Sequence, residues 1–139
     1  VRSIESTPAV FDAISIEEMD RAIASGSAPG PEDMARMLVA AEAGVGHLQS
    51  MLDELARNED PADTYGLLTE LAQRPWTRSL TSVIRFLAAA PLSTPEHRRA
   101  TALASSIVRS RTTVSELESA QLGGNPTGLT DILIIDTNQ

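Results

Sequence analysis

Met34-Ala35-Arg36-Met37-Leu38-Val39-Ala40-Ala41-Glu42-Ala43-Gly44-Val45-Gly46-His47-Leu48-Gln49-Ser50-Met51-Leu52-Asp53-Glu54-Leu55 is the stretch on which the fold turns. Within it Met34, Leu38, Ala41, Val45, Leu48, Leu52 and Leu55 recur at alternating spacings of four and three. That rhythm places them on one stripe of an α-helix about three heptads long. A seam of this length packs along a partner helix at a shallow angle, so it predicts one long helix in a bundle. Gly44 and Gly46 interrupt it, and each costs about 0.8–1 kcal/mol relative to Ala in a helix interior. The expectation is that they admit the backbone of a close neighbour, with a hinge as the second reading.

On either side of this stretch, helix starts are marked by proline behind a capping residue. Gly30-Pro31, Asp60-Pro61 and Thr94-Pro95 put proline at the first helical position, where its missing N–H costs nothing. Ser15-Ile16-Glu17-Glu18 is a capping box. Stops fall at Gly26, at Asn58-Glu59-Asp60, at Arg74-Pro75, at Pro91 and at Gly123-Gly124. These signals predict five helices, at about 16–25, 31–57, 61–73, 76–90 and 95–121. In the fourth, Trp76, Leu80, Val83, Ile84 and Leu87 form one apolar face. In the last, Leu103, Ile107, Val114 and Leu117 keep the heptad rhythm, with Ser110 falling in the seam.

The fold class is therefore all-α: an antiparallel bundle of about five helices with a strand-like C-terminal tail. Residues 1–14 read as an N-terminal extension, 15–122 as the bundle and 123–139 as the tail. In that tail Leu129 to Ile135 is apolar and β-favouring. Ile132, Leu133, Ile134 and Ile135 alternate between two faces that both want cover, and a lone strand leaves its backbone unsatisfied. The segment either lies along its own bundle or pairs with a strand of another chain, and the need for cover on both faces favours the second.

Composition narrows the classes. Of 139 residues 42% are apolar but 3% aromatic, so the core is aliphatic and suits closely approaching helices. The chain has no cysteine, which removes disulfides, thiolate metal sites and thiol nucleophiles. It also has eleven arginines and no lysine, which removes Schiff-base and P-loop lysine chemistry. Codon bias explains the missing lysine most simply; escape from lysine modification in a host cell is the sharper alternative. No apolar run approaches a membrane span, and Val1-Arg2-Ser3-Ile4-Glu5 has no signal-peptide core. A soluble protein of the cytoplasm, or of a virion or other assembly, is expected.

Charge is unevenly laid out. Up to Glu70 there are fourteen acids against four arginines, and beyond it seven arginines against five acids, within a total of −8. Arg74, Arg78, Arg85, Arg98, Arg99, Arg109 and Arg111 fall in a span whose one acid is Glu96. Opposite halves of this kind pack on each other or take partners of opposite sign. The arginine group is the best candidate binding feature, with Gly44, Gly46 and Ile132 to Ile135 as further partner-binding positions.

Other signals are weaker. Gly123-Gly124-Asn125-Pro126-Thr127-Gly128 has the glycine spacing of a phosphate loop, but Leu129-Thr130 stands where Lys-Ser/Thr is needed, and it follows a helix. It reads as a helix stop and turn. Ala43-Gly44-Val45 resembles the turn of a helix-turn-helix, yet the segment behind it carries Asp53 and Glu54 where a recognition helix brings cations. His47 and Ser50 lie one turn apart, as chance helical neighbours do. No catalytic, cofactor or metal residues are assigned.

The sequence thus predicts a non-enzymatic helical subunit that binds other proteins in a homo- or hetero-oligomeric assembly. The competing readings are a secreted effector that binds host proteins and a small nucleic-acid-binding regulator, the latter disfavoured by the acidic half.

Overall fold

Each long helix starts on a proline, whose fixed φ suits the first helical turn and whose absent N–H would have found no acceptor there. The structure is a computed structural model that describes residues 31–88 and 95–135. It contains α1 (Pro31–Ala56), α2 (Pro61–Gln73), α3 (Pro75–Ala88), α4 (Pro95–Ala120) and a single turn, α5 (Leu129–Ile132). No strand occurs among the described residues. The helix expected at 16–25, its capping box and the stop at Gly26 lie outside the described residues. So do Thr94, the expected end of the fourth helix and residues 136–139.

Helices α1, α3 and α4 pack on one another pairwise and enclose the core; α2 and α5 close its side. The seam of α1 faces inward: Leu38, Ala41, Val45, Leu48, Leu52 and Leu55 are all buried and Met34 is half-buried. From α4 come Leu103, Ile107, Val114 and Leu117, together with Ser110. The segment around Gly44 and Gly46 is continuous helix, with no turn inside it.

Helix α3 departs from the expectation of one apolar face. Besides Trp76, Leu80, Val83, Ile84 and Leu87 it buries Thr77, Ser79 and Thr81, so it is enclosed on nearly every side. Two of these hydroxyls return to backbone. Thr77 Oγ1 donates to the Leu71 carbonyl at 2.9 Å, which also accepts from the Arg74 amide at the end of α2, and Thr81 Oγ1 donates to the Thr77 carbonyl at 3.4 Å. Arg74 alone links α2 to α3, because Pro75 both ends one helix and begins the next. At the other end of α2, the Asp60 carboxylate caps the helix by accepting from the Ala62 and Asp63 amides.

The tail corrects the expectation of a partner-pairing strand. After α4 the chain reverses through Gly123 and Gly124, with φ of +64° and +84°, a backbone region that favours glycine. The Gly124 amide donates to the Glu118 carbonyl at 2.7 Å. Gly128, at φ +88°, then turns the chain into α5. The segment packs in cis, against α2, α3 and α4, with Leu129 and Leu133 fully buried. The turn bonds the Leu133 amide to the Leu129 carbonyl at 3.1 Å, while Thr127 accepts from the Leu129 amide and Arg111 donates to the Thr130 carbonyl, so groups of the same chain take the place of a pairing strand.

Glu118 holds this arrangement. It is 8% exposed, and its Oε2 accepts from the Thr127 amide at 2.8 Å and the Thr127 hydroxyl at 2.7 Å. That hydroxyl accepts in turn from the Leu129 amide at 3.4 Å. A carboxylate near a helix C-terminus opposes the helix dipole, and burial adds to the cost. Charge-assisted hydrogen bonds to the loop offset both.

Candidate interaction surface

The enclosure of α3 leaves one narrow stripe facing solvent, and Arg78 and Arg85 occupy it with half-buried Ser82 between them. Seven residues apart is two helical turns, roughly 10 Å along the axis. The returning tail supplies the facing wall. Arg78, Ser82, Arg85, Asp131, Ile132 and Ile134 together line an open recess of about 320 Å³. Ile134 is 49% exposed at its edge. Two feature classes separated by half a hundred residues of sequence, the arginines and the tail isoleucines, are thereby joined. Among the described residues neither Arg78 nor Arg85 is ion-paired, although Asp131 shares the recess. A guanidinium stays charged at any physiological pH and presents five donors in a plane, which suits carboxylates and phosphates.

The other arginines are dispersed. Arg74 pairs with Glu70 at 2.6 Å, within α2 and its cap. Arg99 on α4 pairs with Glu42 on α1, a direct contact between the basic and acidic halves of the chain. Arg111 Nε donates to the Thr130 carbonyl at 2.9 Å and so ties α4 to the tail. Arg109 donates to the Ser106 hydroxyl at 3.0 Å. Arg98 is exposed on α4. Four of the seven, Arg74, Arg99, Arg109 and Arg111, are thus engaged in separate local contacts.

Of the remaining candidates, Gly44 is buried and Gly46 is exposed. A Cβ at Gly46 would meet nothing within 4 Å, so no close approach inside the chain requires glycine there. This corrects the close-neighbour expectation for Gly46 within one molecule. Leu133 is a buried anchor, and Ile132 and Ile135 are partly buried against the core. The His47 ring packs on Trp76 with centroids 5.3 Å apart and planes tilted by 55°. Ser50 is exposed, and no hydrogen bond joins it to His47 among the described residues. The glycine-rich loop is a helix stop and turn, as its sequence context predicts.

A second recess, about 260 Å³, is lined by Arg111, Thr112, Ser115, Glu116, Glu118 and Thr130. Its arginine and its buried glutamate already serve the tail. Among the described residues no group of three His, Asp or Glu is placed to hold a metal ion, and no helix is long and apolar enough to cross a membrane. Neither the sequence nor the fold leads to a relative: the chain matches no family model, no curated protein and no solved structure.

Proposed function

We propose that this chain is a non-enzymatic docking subunit, a helical bundle whose work is to bind other polypeptides within a larger assembly. The observation that carries the reading is the α3–tail recess. Two charged guanidiniums with no ion-pair partner among the described residues stand beside a half-exposed isoleucine. Polar and apolar groups set side by side on a rigid element are what a protein interface uses: an apolar contact for affinity, and charges for register and encounter rate. The rigidity comes from α3, which is buried on nearly all its other sides. Exposed Val39 on α1 and Val108 on α4 add apolar contact points elsewhere on the surface.

The test is light scattering of the full chain across a concentration series at low and at high salt. A mass above the monomer at low salt, falling as salt screens the charges, is the expected result. A strict monomer in both conditions, with the tail intact by mass spectrometry, would overturn the reading.

A further inference from the structure

We infer that the Arg78–Arg85 recess receives the acidic corner between α1 and α2 of a second copy of this chain, giving a head-to-tail contact. The inference rests on the docking reading above and names the partner and both surfaces.

The acidic corner is the natural complement on the same molecule. Between Asp53 and Asp63 stand five carboxylates against one arginine, Arg57. Asp53 and Glu59 are exposed, and neither is ion-paired among the described residues. The corner is already ordered. Asp60 caps α2, the Asn58 side-chain amide donates to the Asp63 carboxylate at 2.7 Å, and the Asp60 amide donates back to the Asn58 side chain at 3.0 Å. Docking a pre-ordered corner loses little conformational entropy. Exposed Ala56, Pro61 and Ala62 lie among its acids, as Ile132 and Ile134 lie beside the arginines. The two surfaces are therefore of opposite net charge, and each sets apolar groups beside its charged ones.

Asp131 in the recess works against an incoming carboxylate, but two arginines leave the recess net positive. Nucleic acid would meet the same arginines only by approaching a chain of net charge −8. A contact between two different patches is heterologous, so repetition closes a ring or extends a filament.

Charge reversal with rescue tests this on the full chain, by sedimentation velocity at low salt with circular dichroism to verify folding. Arg78→Glu with Arg85→Glu is expected to weaken association at least about tenfold, and Asp53→Arg with Glu59→Arg to do the same. The first variant alone sets acid against acid, and the second puts arginines in place of two of the carboxylates that would face the recess. An equimolar mixture of the two sets opposite charges together at every contact and is expected to restore association. Asp131→Asn, which leaves the core untouched, is expected to tighten it. Association of the wild type that survives both reversals, or a mixture that stays apart, overturns the inference while the docking reading stands. A wild-type chain that is monomeric at every concentration and salt overturns both.

Discussion

Helix α1 and the C-terminal tail both end up against the same core, and they are held there by different physics. Helix α1 contributes a row of interchangeable aliphatic groups, Leu38 through Leu55, each packed along the seam. The tail has two full anchors, Leu129 and Leu133, and a polar lock in which Glu118 grips Thr127. A row of similar contacts shares its load and melts with the whole bundle. A segment held by two anchors and a lock is the kind that opens locally, below the global free energy. The recess depends on that segment, since Asp131, Ile132 and Ile134 form one of its walls.

The largest effects come from truncating the anchors. Leu48→Ala, in the fully buried centre of the seam, is expected to lower global stability by about 2–5 kcal/mol in urea unfolding. Leu133→Ala removes a side chain equally buried, yet its cost appears as local release. Amides at Gly124 and Leu133, whose bonds fix the tail, are expected to exchange faster while those of α1 keep their protection. Equal acceleration in both regions would show that tail and bundle open as one unit.

Next in size is the lock. Glu118→Ala leaves the Thr127 amide buried without its acceptor, at a cost of about 1–3 kcal/mol. Glu118→Gln keeps an acceptor at similar volume and is expected to lose less. If neither alanine nor glutamine costs anything measurable, the carboxylate is not what holds the loop. Hydrogen exchange at Thr127 separates the two outcomes directly.

How legible each region is follows from the same difference. The α1 seam is a local period, so every residue that carries it stands within reach of its neighbours in sequence. The helix starts at Pro31 and at Asp60-Pro61 are legible for the same reason. Enclosure of α3 is not, because Thr77, Ser79 and Thr81 look like a solvated face. Thr77 and Thr81 bury their hydroxyls against backbone carbonyls that only the folded turn provides. In the tail, an apolar run from Leu129 to Ile135 reads as strand, and the choice of one helical turn is made by Gly128 and by a glutamate nine residues before Thr127. Arg78, Arg85, Ile132 and Ile134 are each conspicuous in the sequence. Their meeting is not, since it requires the chain to reverse at Gly123 and Gly124.

Gly46 probes α1 in turn. It lies inside a helix on an exposed face, where an added methyl meets open space. Gly46→Ala is therefore expected to raise the stability of the single chain by about 0.8–1 kcal/mol, through helix propensity alone. Thermal unfolding at low protein concentration reads this. Should the same substitution weaken self-association, a partner's backbone approaches α1 at that turn, and α1 carries a second contact surface.

The smallest effect belongs to Arg99 and Glu42, which join α4 to α1 across the two charge halves of the chain. Both side chains are substantially solvated, at 50% and 40% exposure, so water and salt screen the attraction. Pairs of this kind contribute about 0.2–1 kcal/mol. Arg99→Ala is expected to fall in that range at low ionic strength and to vanish near 1 M salt, where the Debye length is about 3 Å. A double-mutant cycle with Glu42→Ala isolates the pair from the packing of the arginine stem. A coupling well above 1 kcal/mol would mean that charge separation along the sequence holds the bundle together. A small coupling leaves that work to the aliphatic seam, and leaves the arginine stripe of α3 available for contacts outside the chain.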